Sequence, residues 1–144
     1  MNPSLNRRAL QAVIAIAGLV PVGAGLAGVL MGPRIAGLHE AGASLDSHFR
    51  YLSGLLLGIG LVFWGAIPTI ERQGWLVRAL TLIVFVGGLG RAISLLQAGT
   101  PAAAMRLALI MELVITPLIC LWQFNVERGL ARSAVTGAFK AQLS

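Results

Sequence analysis

The residues best placed to do chemistry in this sequence are Glu112 and Arg91, because both stand in stretches that are otherwise apolar. Glu112 sits ten positions into a run that opens at Ala102, roughly 15 Å along a helix at 1.5 Å per residue. An ionised acid at the middle of a bilayer costs at least about 2.5–3.5 kcal/mol, so it must face other helices and find a partner or stay protonated. Arg91 is the natural partner. It lies six residues before the end of the preceding apolar run, about 9 Å deep. The depth difference of about 6 Å is within the reach of an arginine side chain. Ser94 and Gln97 follow Arg91 at spacings of three and six, a polar stripe that opens outward, and Thr116 stands one turn beyond Glu112. Arg50 follows Asp46 by four at the mouth of another apolar run; Asp46 or Ser47 is expected as its N-cap. If Arg50 turns inward, then Arg50, Arg91, Arg106 and Glu112 line an outward-facing, net-positive pocket suited to an anionic headgroup, a carboxylate or a quinone oxygen.

Each of these groups also has a plainer reading. An Arg91–Glu112 pair between neighbouring helices fixes packing and register without binding anything. Arg106 is explained by snorkelling to an interface. His39 and His48 are loop or edge residues, not the deep pair that a bis-histidine haem wants, so no metal or cofactor is expected. Cys120 reads as a small apolar filler, and a single cysteine excludes an internal disulfide. No glycine-rich phosphate loop, paired catalytic carboxylates or Ser/His/Asp set can be assembled, which leans against an enzyme. A proton relay through Glu112 needs a continuous polar path, and the other half offers little beyond Thr116, Thr69 and Thr81.

The elements that carry these residues follow from composition. Of 144 residues, 57% are hydrophobic and only 11% charged, with a mean hydropathy of +0.85. A soluble domain has about 25% charged residues, and 11 basic plus 5 acidic side chains cannot coat one of this size. That excludes an ordinary soluble enzyme, a disordered chain and a soluble nucleic-acid binder. Four apolar stretches stand out: Ala9–Met31, Phe49–Ile70, Trp75–Gln97 and Ala102–Phe124. Each spans about 33–35 Å as a helix, enough for a hydrocarbon core of about 30 Å, and none alternates as a barrel strand would. The first also reads as a secretory signal core behind Arg7 and Arg8, but it runs on through Val29–Met31, longer than such cores usually are.

The expected fold is all-α, a single transmembrane domain built as an up-down four-helix bundle. The side with both termini would hold Arg7, Arg8, Arg72, Arg78, Arg128, Arg132 and Lys140, against Arg34, Arg50, Arg91 and Arg106 on the other. The positive-inside rule then puts both termini in the cytoplasm. The net charge of +6 needs no nucleic acid, since most basic residues flank spans and meet headgroups. Residues 125–144 form a basic cytoplasmic tail, read equally as a surface-lying amphipathic helix or a solvated tail. Eighteen glycines matter because helices in lipid associate through small residues. Ala24, Gly28 and Gly32 on the first helix, Gly54 and Gly58 on the second and the cluster Gly87, Gly88 and Gly90 on the third are the expected packing faces. They would act within the bundle or toward another chain. Pro21 and Pro117 free the carbonyls of Ala17 and Leu113, and kinks are expected there.

The stretch Leu45-Asp46-Ser47-His48-Phe49-Arg50-Tyr51-Leu52-Ser53-Gly54 with Trp64, together with Gly87-Gly88-Leu89-Gly90-Arg91, Ser94, Pro101, Glu112-Leu113-Val114, Pro117 and Trp122-Gln123, resembles a bacterial family of small four-span integral membrane proteins of unknown function. The resemblance covers roughly residues 9–128. It is similar more loosely to the DoxX-like four-helix membrane proteins, some linked to quinone or redox partners. The family implies the topology and no activity. The expected function is therefore non-enzymatic, in the bacterial inner membrane, through helix contacts as an accessory subunit of a larger complex or a small homo-oligomer. The alternative is a binder or carrier of a quinone or lipid using Arg91 and Glu112.

Overall fold

The computed structural model describes the backbone of residues 3–142 and the side chains of residues 4–133 and 142. Five α-helices follow one another: α1 (Pro3–Met31), α2 (Ala43–Ala66), α3 (Gly74–Ala98), α4 (Ala103–Ile110) and α5 (Thr116–Gln142). Short 3-10 segments, Gly32–Ala36 and Ile67–Arg72, follow α1 and α2, and a π-helical turn, Met111–Ile115, joins α4 to α5 without a loop. No strand occurs among the described residues. Four segments are long and apolar enough to cross a membrane: Ser4–Ala36, Ala43–Arg72, Gly74–Ala98 and Ala103–Ser133.

The helix ends are written in glycine and proline. α1 stops where Gly32 takes φ +63° and Pro33 follows, and Gly37 at φ +79° closes the 3-10 turn by donating its N–H to Arg34 O. α2 passes at Ala66 into a 3-10 segment: Pro68 has no N–H to give Trp64 O, Ile67 donates to that carbonyl instead, and the helical path breaks at Thr69 (φ −124°, ψ 30°). α2 begins a turn earlier than its sequence suggests. Gly42 is the N-cap and makes no side-chain cap bond, so neither Asp46 nor Ser47 plays that role. Asp46 lies in the first turn, where the helix dipole still favours an acid, and its carboxylate goes to Arg50 instead. α5 continues past Phe124 to Gln142, so the segment after residue 124 is a helical extension. Val135, Phe139, Lys140 and Leu143, which would decide its amphipathic character, lie outside the described side chains.

The prolines behave differently from each other. α1 passes through Pro21 as one unbroken helix. Pro117 is preceded by the π turn, where Thr116 donates both its N–H and its hydroxyl to Met111 O, the latter at 2.8 Å. Widening the helix by one residue moves the backbone away from the clash that a proline ring makes with the carbonyl four residues earlier.

Packing divides the chain into two compact units, Gln11–Pro68 and the residues up to Leu10 together with those from Thr69 onward. In the first, α1 and α2 are stitched by side chains reaching backbone carbonyls. Gln11 donates to Ile67 O (2.8 Å), Trp64 to Ala15 O (3.1 Å) and Arg50 to Val29 O and Leu30 O. Between these points the helices touch at small residues. A Cβ on Gly18 would strike the Trp64 indole, one on Gly25 the Leu57 backbone, one on Gly28 Ser53, and one on Gly60 Val22. In the second unit, α3 packs on α5 around Leu10, Ile70, Val77, Leu80 and Val126. Gln123 is fully buried there and donates to Ile70 O at 3.0 Å, while Trp122 donates to Asn6 Oδ1 at 2.8 Å. Large apolar side chains face outward along every helix, among them Ile16, Leu55, Leu82 and Leu121. A monomer in water rarely exposes such a surface, whereas lipid is its natural solvent.

Candidate functional site

The polar centre of the second unit is built by a close approach. Gly88 on α3 is buried, and a Cβ there would come 2.7 Å from Leu113 Cδ2 and 3.0 Å from Glu112 Cβ. With no side chain in the way, α3 lies against the π turn, and Arg91, one turn later, meets the acid. Arg91 Nε donates to Glu112 Oε1 at 3.0 Å. Arg91 Nη1 stands 3.1 Å from Met105 Sδ on α4. The connection Gly99–Ala102 is short enough to make α3 and α4 neighbours, with Gly99 at φ +88° and Pro101 next to the start of α4.

The pair is asymmetric in its surroundings. Glu112 keeps only 15% of its side-chain surface exposed, while Arg91 keeps 38%. Glu112 Oε2 is buried without a hydrogen-bond partner among the described residues. One carboxylate oxygen is thus satisfied by a charge-assisted bond and the other can still accept. Such an arrangement can fix register between two helices, and it can also take a small ligand that donates one hydrogen bond. The π turn tightens the link between sequence and site, because inserting one residue into a helix re-aims every side chain before it by about a quarter of a turn or more.

The remaining candidates are placed as follows. Ser94 is on α3 and exposed, as is Gln97, while Arg106 is exposed on α4. Thr116 gives its hydroxyl to the Met111 carbonyl and not to Glu112. Arg50 belongs to the other unit. There its Nε lies 2.8 Å from Asp46 Oδ2 and its Nη1 bonds the carbonyls that end α1. Arg50 therefore works as a clamp on the C-terminus of α1, where a cation also meets the negative end of the helix dipole. Gly32 is part of that clamp, since a Cβ there would press on Asp46 and Arg50. Gly28 packs on Ser53, whereas Gly54 makes only an ordinary contact with Val29 at 3.9 Å. Gly58 and Gly87 have nothing within 4 Å of a Cβ position inside their own units.

Several residues that hold the units together are not apparent from spacing. Gly18, Gly25 and Gly60 carry the close α1–α2 contacts, although no four-residue repeat marks all three. Gln123 is conspicuous only as an amide between Trp122 and Phe124. The π turn had one signal, a threonine–proline pair four residues after an intramembrane acid.

No curated protein and no solved structure matches the chain. A family profile described as a domain of unknown function, DUF4345, covers residues 9–123, which takes in Arg50, Gly88, Arg91 and the whole π turn. That match extends over most of the sequence, and the chain belongs to the DUF4345 family.

Proposed function

We propose that this chain is a multi-pass protein of a bacterial inner membrane, an up-down bundle with cytoplasmic termini. It acts through helix contacts, as an accessory subunit of a larger assembly or as a small homo-oligomer, and catalyses no reaction. The supporting observation is the contrast among its glycines. Gly60 and Gly88 are filled by neighbours inside their units, while Gly58 on α2 and Gly87 on α3 are open. In lipid, where apolar surface gains little by leaving the acyl chains, open small-residue faces are where a further helix approaches closely. Blue-native electrophoresis and cross-linking in native membranes test this reading. The wild type should run above its monomer mass of 15.1 kDa, and Gly58→Leu with Gly87→Leu should return it to monomer. A wild type that is monomeric in mild detergent and cross-links to nothing overturns it.

A second reading rests on Glu112 Oε2, the buried acceptor beside a partly open arginine. It assigns Arg91 and Glu112 to a small amphipathic molecule, a quinone or a lipid, entering from the outer face. Native mass spectrometry of protein extracted with its lipids should then find a bound small molecule that Glu112→Ala loses. A dry pair with no bound species in the wild type excludes it.

A further inference from the structure

Where α3 begins, two arginines share one aromatic ring. The Arg128 guanidinium carbon lies 3.9 Å from the centroid of Phe124, and that of Arg78 lies 5.7 Å away. Stacking holds a planar guanidinium in place while leaving its edge N–H donors unused. The acid beside them is Glu127. Its Oε2 is 4.0 Å from Arg78 Nη2, and the same oxygen takes the Gln123 amide at 3.4 Å. The Glu127 carboxylate is therefore divided between the Arg78 guanidinium and the Gln123 amide. The nearby Glu71 is already engaged, with Oε2 2.9 Å from Arg7 Nε. Arg128 is exposed and the Arg78 side chain is 48% exposed, so positive charge and directed donors remain open at this spot.

The level of the cluster along the helices decides what meets it. α3 has 25 residues, so it is about 37 Å long against a hydrocarbon core of about 30 Å. Arg78 is four residues from its start, about 6 Å in, at the boundary between acyl chains and headgroups. Trp75, 77% exposed, precedes Arg78 by three on the same face and marks the interface. Further along, Leu82 on α3 is 62% exposed and Leu121 on α5 is 60% exposed. Each lies one or two helical turns from its arginine, toward the bilayer centre.

We propose that Arg78 and Arg128, held against Phe124, bind the phosphodiester of an anionic phospholipid whose acyl chains lie along Leu82 and Leu121. This stands on different residues from the reading above and does not depend on it. The apolar rows running inward from both arginines favour a lipid over a free anion. Inorganic phosphate would meet only two partly exposed charges that salt screens.

The test uses the full chain in phosphatidylcholine nanodiscs, titrated with phosphatidylglycerol and read by the thermal unfolding midpoint. The wild type should gain a saturable upward shift that phosphatidylcholine does not give. R78Q/R128Q should need about 30-fold more phosphatidylglycerol for the same shift, from the loss of two headgroup-level arginines. F124L keeps both charges and should weaken the response in the same direction by a smaller factor; it carries the test if the double variant does not fold. R34Q/R106Q removes the same charge from the segment after α1 and from α4, and should respond as the wild type. The proposal is overturned if R34Q/R106Q loses as much as R78Q/R128Q, if F124L responds fully, or if phosphatidylcholine shifts the midpoint equally. Millimolar inorganic phosphate reproducing the shift would make the ligand a free anion and also overturn it.

Discussion

The Arg91–Glu112 pair is where a single side chain matters most. Glu112→Ala leaves Arg91 facing a half-buried site without its acceptor, and an unmet buried donor costs about 1–3 kcal/mol. The value sits below that of a fully buried pair because 38% of the arginine remains exposed. Glu112→Gln keeps a carbonyl oxygen for Arg91 Nε and should cost less. Thermal midpoints in one detergent should therefore fall in the order wild type, Gln, Ala, and equal losses for Gln and Ala would mean that the bond carries nothing. The neighbouring glycines separate packing inside the chain from packing outside it. Gly88→Val drives a side chain into Leu113 and Glu112 and should destabilise by about 1–3 kcal/mol. Gly87→Val meets open space within its unit and should stay within about 0.5 kcal/mol in the detergent monomer. That difference of one position is set by helical phase, and the cluster Gly87, Gly88 and Gly90 does not by itself say which of its members faces inward.

At the scale of the helices, the π turn is the feature that positions the acid. Pro117 has no N–H to give Leu113 O, and Thr116 reaches back five residues to Met111 O instead. Pro117→Ala restores that donor, so the local gain of a regular α-helix should draw the turn back to a four-residue repeat. Glu112 would then rotate away from α3. The coupling between Arg91 and Glu112, which a double-mutant cycle in the parent should place within about 0.5–3 kcal/mol, should fall by at least half in the Pro117→Ala background. An unchanged coupling would show that the turn does not set the register. These elements were legible to different degrees for physical reasons. The apolar runs are plain because lipid demands them, and α3, bounded by Gly74 and Ala98, departs by one residue at each end from the stretch its composition marks. Glu112 and Arg91 stood out because charge is rare there, and their pairing followed from a short connection and similar depth. Asp46 is not the cap that its position suggests, because Gly42 starts α2 earlier, and Arg50, whose position allows it to meet headgroups or turn inward, gives its donors to the end of α1. Both outcomes come from side chains choosing among several nearby carbonyls and amides, a choice that spacing does not encode.

For the molecule as a whole, the open question with the sharpest physical lever is which way it faces. The two candidate sides differ as seven basic residues against four, and Arg91 and Arg106 lie within apolar segments, so they bear less on the loops that orient insertion. The helices themselves are neutral about direction, since their apolar surfaces are satisfied equally either way. Orientation must then come from the flanks, chiefly Arg7 and Arg8 before α1, and Arg72 and Arg78 around the start of α3. In a Cys120→Ala background, a cysteine at Ser4 should be shielded from an impermeant maleimide in intact cells, and one at Ala41 should react. Replacing Arg7, Arg8, Arg72 and Arg78 with Gln lowers the first side from seven to three, against Arg34 and Arg50 on the other, and so removes most of the bias. A substantial fraction of that variant should then label at Ser4. If the labelling pattern does not move, charge does not orient this protein, and the cytoplasmic assignment of its termini loses its physical basis.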